Sequence, residues 1–354
     1  GYSTDAGVLG NLGLKQHNLL GTGIDAGFTG TAAYYEDQAD ISLTDPYFLN
    51  RNLVAGVDLF GIQNRYMTYQ SYSEGRYGIT LRMGYSYNNR LSQSWSYTLT
   101  DRNVGDTWSD SSYYVLDQAG WSLLSQLSTT LTYDTRDRRQ QPHKGFVIRV
   151  GGDFAGIGGN ERYLRGKIDA AYYVPLDSIM GNHDWTVEMR GGVGDIMNWG
   201  GGRSDIIDNF YLGGTTLRGF MDGGVGPRSM AISARDGNPM HSQEDFLGGR
   251  FLYTASATVH FPIPFASAMG LSGRYFVDMG GLDGLRVRNR YTSMKDWPKY
   301  TPVYGDTLTP RVSTGVGIAW KSPFGLVNID LGVPLVRQEH DRTQLLRFGF
   351  GQQF

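Results

Sequence analysis

Residues 77–87 read YGITLRMGYSY, and an apolar side chain stands at every second position. Tyr77 and Ile79 begin one face, whereas Gly78 and Arg82 belong to the other. Side chains of a β-strand point alternately to opposite sides, so this stretch predicts a strand with one apolar face and one small or charged face. A tilted strand of about 9–11 residues crosses the hydrocarbon of a bilayer, and this stretch is long enough to do so.

The same alternation recurs along most of the chain. Its candidate strands lie at about residues 8–17, 24–35, 39–45, 53–65, 76–87, 93–103, 126–134, 145–154, 162–175, 184–197, 250–262, 271–279, 311–320, 326–334 and 344–354. Between two of these strands, residues 115–125 are expected to form a short surface helix.

The number of candidate strands is odd, whereas single-chain bacterial barrels use an even number of strands. Gly1-Tyr2 stands before a turn and is expected to be the tail of a cut strand. We therefore expect a barrel of sixteen strands in the intact protein, with about 15 complete here and most of the first strand outside this chain.

The polar face of these strands carries charged side chains, namely Arg82, Arg149, Lys167, Glu188, Arg190 and Arg311. Unpaired charges are too costly to bury in the dry core of a β-sandwich. A water-filled lumen accommodates them, with lipid on the apolar side. The predicted fold class is therefore all-β, a transmembrane antiparallel up-and-down β-barrel. The alternative is a soluble sheet whose polar face meets solvent.

Composition agrees with many short strands. The chain has 354 residues with 50 Gly, 23 Tyr, 16 Phe and 7 Trp, and this Gly share is about twice the usual ~7%. No apolar run reaches the length of about 18 residues that a transmembrane helix needs. On composition alone, a soluble sandwich or propeller also remains open.

Several functional classes are disfavoured by the residues that are scarce or missing. There is no Cys, so disulfides and thiolate zinc sites are excluded, and the net charge of −2 argues against a nucleic-acid partner. No His has metal-ligand spacing, and no nucleophile motif is present. We therefore expect no enzyme activity, no cofactor and no metal.

The chain does not open with the charged and apolar stretches of a signal peptide. We therefore expect a mature or excised fragment, in which residues 1–354 form a single barrel domain and the periplasmic repeats that receive substrates are absent.

The stretch from Asn198 to Gly249 has no strand period and is far longer than an ordinary connection. It contains Gly213-Gly214-Thr215-Thr216-Leu217-Arg218-Gly219-Phe220, followed by Gly226-Pro227-Arg228. Loops of this length are either disordered or functional, and this one is rich in specific residues. We predict that it folds back into the lumen, with Arg218 as its anchor.

Six motifs occur in a fixed order over nearly the whole chain: Leu19-Leu20-Gly21-Thr22-Gly23, Asp45-Pro46-Tyr47-Phe48, Tyr133-Asp134-Thr135-Arg136-Asp137 followed by Pro142 and Gly145, Leu217-Arg218-Gly219-Phe220, Phe276-Val277-Asp278-Met279-Gly280, and Trp320-Lys321-Ser322-Pro323-Phe324-Gly325. In this order they resemble the barrel-assembly and polypeptide-transport superfamily of outer-membrane proteins. Each motif is weak alone, but the six together are specific.

The resemblance implies a lock between the long loop and the barrel wall. Arg218 is expected to form an ion pair with Asp278, while Gly219 lets the backbone pass close to the wall and Leu217 and Phe220 flank the contact. An acidic partner is also expected on the strand after the loop, but His260 stands there, and we include it as a possible member. The alternative is a solvated Arg and a turn-capping Asp.

Two turns and one strand complete the set of candidate sites. The resemblance implies family-type turns at Asp134, Arg136, Asp137, Pro142 and Gly145, and at Trp320, Ser322, Pro323 and Gly325. The last strand would pair with the first and form a weak lateral seam, since Gly adds no packing to a strand. Its candidate residues are Leu346, Phe348, Gly349, Phe350, Gly351 and Phe354. Alternatively, these Gly residues only relieve crowding in a closed barrel.

The function implied by the resemblance is assembly of other barrels in the bacterial outer membrane. An incoming strand would pair at the lateral seam. The implied partners are unfolded outer-membrane protein substrates, accessory lipoproteins of an assembly complex and outer-membrane lipid. The alternatives are a two-partner-secretion channel, a translocation-assembly barrel for autotransporters, a porin and an outer-membrane enzyme.

Overall fold

A computed structural model describes residues 1–4, 7–65, 71–107, 111–139, 141–181, 184–201, 205–230, 232–233, 244–285, 299–300, 303–322 and 325–350. Sixteen strands form one closed sheet in which each strand pairs antiparallel with the next and the last pairs with the first. The predicted sixteen-stranded up-and-down barrel is thus confirmed.

The barrel strands are numbered here in chain order. Their bounds are β1 Tyr2–Ser3, β2 Gly7–Gln16, β3 Asp25–Ala33, β4 Glu36–Asp45, β5 Leu53–Asn64, β6 Ser73–Ser86, β7 Leu91–Gly105, β8 Gly120–Asp134, β9 Gly145–Ala155, β10 Tyr163–Pro175, β11 Thr186–Asn198, β12 Phe251–Pro262, β13 Leu271–Asp283, β14 Thr307–Ser322, β15 Gly325–Val336 and β16 Leu346–Phe350.

The helical segments are short. Two α-helical turns, α1 (Tyr113–Leu116) and α2 (Asp177–Met180), stand beside 3-10 turns at Leu19–Gly21, Phe48–Asn50, Ile206–Asp208 and Ser267–Met269. Within the described residues, no helix has both the length and the apolarity that a membrane crossing requires.

The apolar alternation places large side chains on the outside of the barrel. Leu81, Val150, Ile168 and Val316, each in the middle of a strand, are exposed. Their sequence neighbours point inward, so the outer surface carries an apolar band around the barrel. Such a band is what a barrel presents to lipid.

The inward face carries charge that is paired between strands, either adjacent ones or ones separated by a single strand. Arg82 of β6 lies 2.5 Å from Asp58 of β5, and Arg274 of β13 lies 2.7 Å from Asp330 of β15. Glycines between the charged residues leave room for these long side chains. At Gly56, an added Cβ would lie 2.8 Å from the Arg82 guanidinium carbon. The prediction of a charged lumen therefore agrees with the side-chain geometry.

Two strands, β8 and β16, differ most from the sequence-based expectation. Strand β8 begins at Gly120 rather than near residue 126, and the helix predicted weakly for residues 115–125 is only the turn α1. Gly120 has φ of +110°, and from there the chain enters a ladder with β7. The pairing with β7 therefore overrides the local helical tendency.

The last predicted strand, residues 344–354, is also divided. Only β16 lies in the barrel wall, whereas Thr343–Gln344 pair with Gly219–Phe220 of the long loop. Residues 351–354, with Gly351 and Phe354, lie outside the described residues.

The long connection from β11 to β12 defines one end of the barrel, here called the loop end; the opposite end is the turn end. At the loop end, side chains from four connections pack into one apolar cluster that includes Tyr72, Val115, Ile206 and Leu285. The carboxylate of Asp245 in the same region accepts hydrogen bonds from the backbone N–H groups of Ser71 and Ser112. The connections thus form a packed cover over this end.

Candidate functional site

The long loop folds back into the lumen, as predicted. Its entry and exit lie side by side, because Phe210 and Gly249 form an antiparallel bridge, and Leu212 bridges to Val225 further along. Between these points the chain descends to the inner wall and returns. The Arg218 motif lies between the bridge residues Leu212 and Val225, against β12, β13, β14 and β15.

Arg218 is bound to Asp278 of β13 through its side chain and its backbone. Its Nε donates to Oδ2 and its Nη2 to Oδ1, each at 2.7 Å, and its backbone N–H donates to Oδ2 at 3.1 Å. Asp278 is 1% exposed and the Arg218 side chain 13%. The two parallel side-chain bonds make a bidentate pair, which fixes orientation as well as distance.

Three wall residues complete the binding site for the Arg218 guanidinium. Ser256 and Thr258 of β12 accept from its Nη2 at 3.2 and 3.0 Å. The ring centroid of Phe276 lies 3.7 Å from its central carbon, a cation–π distance. Ser256 and Thr258 occupy the strand on which an acidic partner was expected, so hydroxyl groups take that place.

Gly219 of the loop lies directly against Gly332 of β15, so neither residue has a side chain at the point of contact. A Cβ on Gly332 of β15 would lie 2.7 Å from the Gly219 nitrogen, and a Cβ on Gly219 would lie 3.2 Å from the Gly332 carbonyl carbon. Gly219 also has φ of +93°, a value that favours glycine. The close approach therefore depends on glycine in both chains.

The same segment pairs with the residues that lead into the last strand. Gly219 is opposite Gln344 and Phe220 is opposite Thr343. The backbone N–H of Met221 donates to Arg342 O at 3.0 Å, and that of Gly332 donates to Leu345 O at 2.8 Å. Backbone hydrogen bonds therefore connect the loop to residues 342–345, which lead into β16.

Leu217 and Phe220 are fully buried in an apolar cluster. The cluster also contains Leu212 and Val225 of the loop together with Leu252 and Leu282 of the wall. Burial of a Leu or Phe side chain contributes roughly 1.5–3 kcal/mol. The loop is therefore held by packing as well as by the ion pair.

A second buried ion cluster follows the motif and was not predicted as a unit. Arg228 of the loop and Arg311 of β14 both contact Asp341, at 3.5 Å and 3.0 Å, and all three side chains are at most 1% exposed. Arg228 belongs to the Gly226-Pro227-Arg228 stretch noted in the sequence, and Arg311 was predicted to face the lumen. Asp341 was not predicted as their shared partner, because no strand period or motif marks the segment after β15.

His260 does not contact Arg218 but pairs elsewhere. Its Nε2 lies 2.8 Å from Oε2 of Glu188 on β11. Arg190 also donates to Glu188, and the Tyr173 hydroxyl donates to it at 3.1 Å. This group lies nearer the turn end, because His260 pairs with Thr186 at the first residue of β11. The expectation that His260 belongs to the loop lock therefore differs from the structure.

The seam joins the first four residues to β16. Tyr2 is opposite Phe350 and Ser3 is opposite Gly349. The Thr4 backbone and hydroxyl both bond to the backbone of Phe348, at 2.8–3.0 Å. On its other side, β16 pairs with β15 only from Val327–Phe350 to Leu331–Leu346. Of the predicted seam residues, Leu346, Phe348, Gly349 and Phe350 therefore lie in β16.

The predicted family-type turns lie at the turn end. Asp134 accepts from the backbone and guanidinium of Arg136 at 2.8–3.0 Å, and Asp137 accepts from the His143 N–H at 3.0 Å. Pro142 lies in the same turn. Gly145 has φ of +104°, and a Cβ there would lie 2.5 Å from Thr135 O.

The second such turn joins β14 to β15. Trp320 donates its ring N–H to Met269 O at 3.0 Å. Ser322 is opposite Gly325, while Pro323 lies outside the described residues.

These features define a class of protein: a sixteen-stranded transmembrane barrel whose long loop is bound to the inner wall by a buried Arg–Asp pair. A family model for the Omp85 superfamily domain matches residues 18–354. The chain belongs to the Omp85 superfamily. The family-level resemblance carried by the six motifs is thereby confirmed.

Individual relatives support the same assignment. "Outer membrane protein assembly factor BamA" from Neorickettsia risticii is 26% identical over 354 residues, which is 100% of this chain and 44% of the relative. "Sorting and assembly machinery component 50 homolog" from Mus musculus is 26% identical over 269 residues, 75% of this chain and 53% of the relative. The chain thus spans about half the length of these relatives.

A solved structure has the same fold. The crystal structure of BamA from Haemophilus ducreyi lacking POTRA domains 1-3 superposes with a TM-score of 0.83 at 22% identity, covering 98% of this chain and 68% of that one. The fold and the bacterial relatives place this chain in the bacterial outer membrane.

Proposed function

We propose that this barrel belongs to an outer-membrane protein assembly factor, similar to BamA, that folds and inserts other β-barrel proteins. The observation that carries the proposal is the long loop bound to the wall by Arg218 and Asp278 within an Omp85 barrel. Relatives named as assembly factors, rather than as transporters, favour this function over a secretion channel. The proposed partners are unfolded outer-membrane proteins, accessory lipoproteins and lipid.

In this proposal, the lateral seam between β1 and β16 admits the incoming strand. Strand addition at an exposed edge draws its affinity from main-chain hydrogen bonds, which strands of many different sequences can form. The β16 ladders are short on both sides, and Gly349 supplies no side chain to hold the seam. Opening the seam therefore breaks few hydrogen bonds, and no covalent chemistry is required.

The primary test measures assembly directly. The natural full-length chain that carries this barrel is reconstituted in liposomes with an unfolded outer-membrane barrel as substrate, and folding is timed by heat-modifiable gel mobility. We expect faster folding than in empty liposomes. Unchanged folding rates combined with steady single-channel conductance would overturn the assembly function in favour of a channel.

A disulfide across the seam is expected to abolish this acceleration. Ser3→Cys with Gly349→Cys places thiols on Cα partners, and the chain has no other Cys. The oxidised variant should keep its heat-modifiable fold yet lose most of the acceleration, and reduction should restore it. If oxidation leaves the acceleration intact, substrate strands do not enter through the seam between β1 and β16.

A second cysteine pair supplies the matched control. Thr80 and Thr98 are Cα partners within the wall, with hydroxyl oxygens 3.0 Å apart. A disulfide between Thr80→Cys and Thr98→Cys uses the same chemistry far from the seam. We expect no loss of acceleration in this variant, which separates seam closure from a general effect of oxidation.

A further inference from the structure

Three acidic side chains from separate parts of the chain converge at the loop end of the barrel. Glu161 stands just before β10. Asp205 immediately precedes the 3-10 turn at the entry of the long loop, and Asp208 is the last residue of that turn. All three are buried, with exposures of 0%, 2% and 3%. One oxygen from each lies within 4.8 Å of the others.

Two cations of the described chain reach this group. Arg165 of β10 donates to the Asp208 backbone O at 3.2 Å, but its own charge is paired with Asp153 at 2.7 Å. Arg102 of β7 donates through Nη1 to Asp208 Oδ1 at 2.6 Å, and its Nη2 lies 3.6 Å from both Glu161 and Asp205. Three carboxylates and one guanidinium sum to −3 + 1 = −2 when all are ionised. Excess buried charge is costly unless a counter-charge neutralises it.

Glu161 is the member whose hydrogen bonding is incomplete. Both of its carboxylate oxygens are buried without a hydrogen-bond partner in the described part of the chain. Asp208, by contrast, accepts from Arg102, from the Tyr163 hydroxyl at 3.0 Å and from the Asp205 N–H at 3.0 Å.

We propose that Glu161, Asp205 and Asp208 bind a calcium ion between the barrel wall and the long loop. Calcium takes oxygen ligands at about 2.3–2.6 Å in flexible geometry, so ligand oxygens up to roughly 5 Å apart fit around one ion. A charge of +2 balances the −2 of the cluster and satisfies the orphaned Glu161 oxygens. Magnesium demands a more regular octahedron and keeps its waters.

The site would bind the start of the loop to the wall. Asp208 is followed directly by Asn209 and Phe210, where the loop entry meets its exit at Gly249. The bound ion would therefore reinforce the loop at its entry, while Arg218 holds it deeper in the lumen. The sequence predicts no metal site because it offers no His cluster, and the three carboxylates meet only in the folded chain.

The test titrates the folded chain in detergent with terbium and then with calcium. Tyr163, which is 1% exposed and bonded to Asp208, is placed to sensitise terbium luminescence. We expect a saturable signal that calcium displaces, with a calcium Kd of about 10⁻⁴–10⁻³ M, as in extracellular modules. Glu161→Gln keeps the shape of the side chain and should weaken calcium binding by at least about tenfold.

Asp101→Asn is the matched control, because it removes one exposed carboxylate next to Arg102 without touching the cluster. It should bind calcium as the wild type does. A second readout needs no variant: hydrogen exchange of residues 205–212 should slow with calcium and speed up with chelator. The absence of saturable binding, or equal binding by Glu161→Gln, would overturn the proposal. If hydrogen exchange of residues 205–212 is the same with and without calcium, the proposal is also overturned. The buried charge of the cluster would then be reduced by a proton shared between Glu161 and Asp205.

Discussion

Arg218→Ala is expected to release the long loop from the barrel wall while the barrel itself stays folded. The change leaves Asp278, which is 1% exposed, without its bidentate partner inside the lumen. Breaking a buried pair by removing one partner costs about 3–5 kcal/mol, and the 13% exposure of the Arg218 side chain favours the lower end. At about 3 kcal/mol, the open population of the loop rises roughly a hundredfold.

Hydrogen exchange and proteolysis measure this release. Backbone amides of residues 217–221 should exchange much faster in the variant, because local opening sets their protection. Chymotrypsin is the suitable protease, since Arg218→Ala itself removes a trypsin site. Arg51→Ala removes the same charge from an exposed turn and should change neither readout. Equal cleavage of the loop in wild type and Arg218→Ala would show that the pair does not hold the loop.

Exchanging the two charges tests whether they act as a pair. Arg218→Asp with Asp278→Arg should recover part of the protection that each single change loses, because the opposite charges again face each other. Full recovery is not expected. The native Arg218 also uses its backbone N–H, two wall hydroxyls and the Phe276 ring, and an arginine on β13 does not reproduce these contacts.

The barrel is predictable from sequence because its determinants are local. An alternation such as that of residues 77–87 indicates which face of a strand meets lipid. The strand predicted there is β6, which spans Ser73–Ser86. The pairing of each strand with the next follows from antiparallel connection. The pairing of Arg218 with Asp278 was also anticipated, but through resemblance to a family, since no period or spacing links residues 60 positions apart.

The elements that were not predicted depend on contacts between distant segments. Asp341 lies between Arg228 and Arg311, and Gly332 meets Gly219, only because the loop returns to the wall. The prediction for His260 differs from the structure for another reason: Glu188 on the adjacent strand β11 is its partner, at 2.8 Å. The helical tendency of residues 115–125 failed because pairing with β7 extends β8 to Gly120.

Gly332→Val is expected to displace the loop without altering any charge. The new Cβ would lie 2.7 Å from the Gly219 nitrogen and 2.9 Å from its Cα, distances that backbone atoms cannot accommodate without moving. Gly219 must then leave the wall, and the Arg218 bond to Asp278 one residue away lengthens with it. Overpacking typically costs about 1–3 kcal/mol, and loss of the ion pair adds to that cost.

This prediction has a control in the same barrel wall, on its outer, lipid-facing side, where Gly166 alternates with the exposed Leu164 and Ile168. Gly166 of β10 has no atom within 4 Å of an added Cβ, so Gly166→Val adds the same side chain without a clash. Val also suits a strand better than Gly does. We expect Gly166→Val to retain loop protection and Gly332→Val to lose it. If both variants protect the loop equally, the close approach of Gly219 to Gly332 does not position the loop.

The effect of Gly332→Val should extend to the last strand. Gly219 and Phe220 pair with Gln344 and Thr343, and the Gly332 N–H bonds to Leu345 O, so a displaced loop frees the segment that leads into β16. Amides of residues 346–350 should therefore exchange faster in Gly332→Val, as they should in Arg218→Ala. The double variant should be little worse than either single one, because both changes release the same contact and coupled sites are not additive. Additive losses would mean that the ion pair and the glycine contact hold the loop independently. Unchanged exchange of residues 346–350 in both single variants would mean that the loop and the last strand are not coupled.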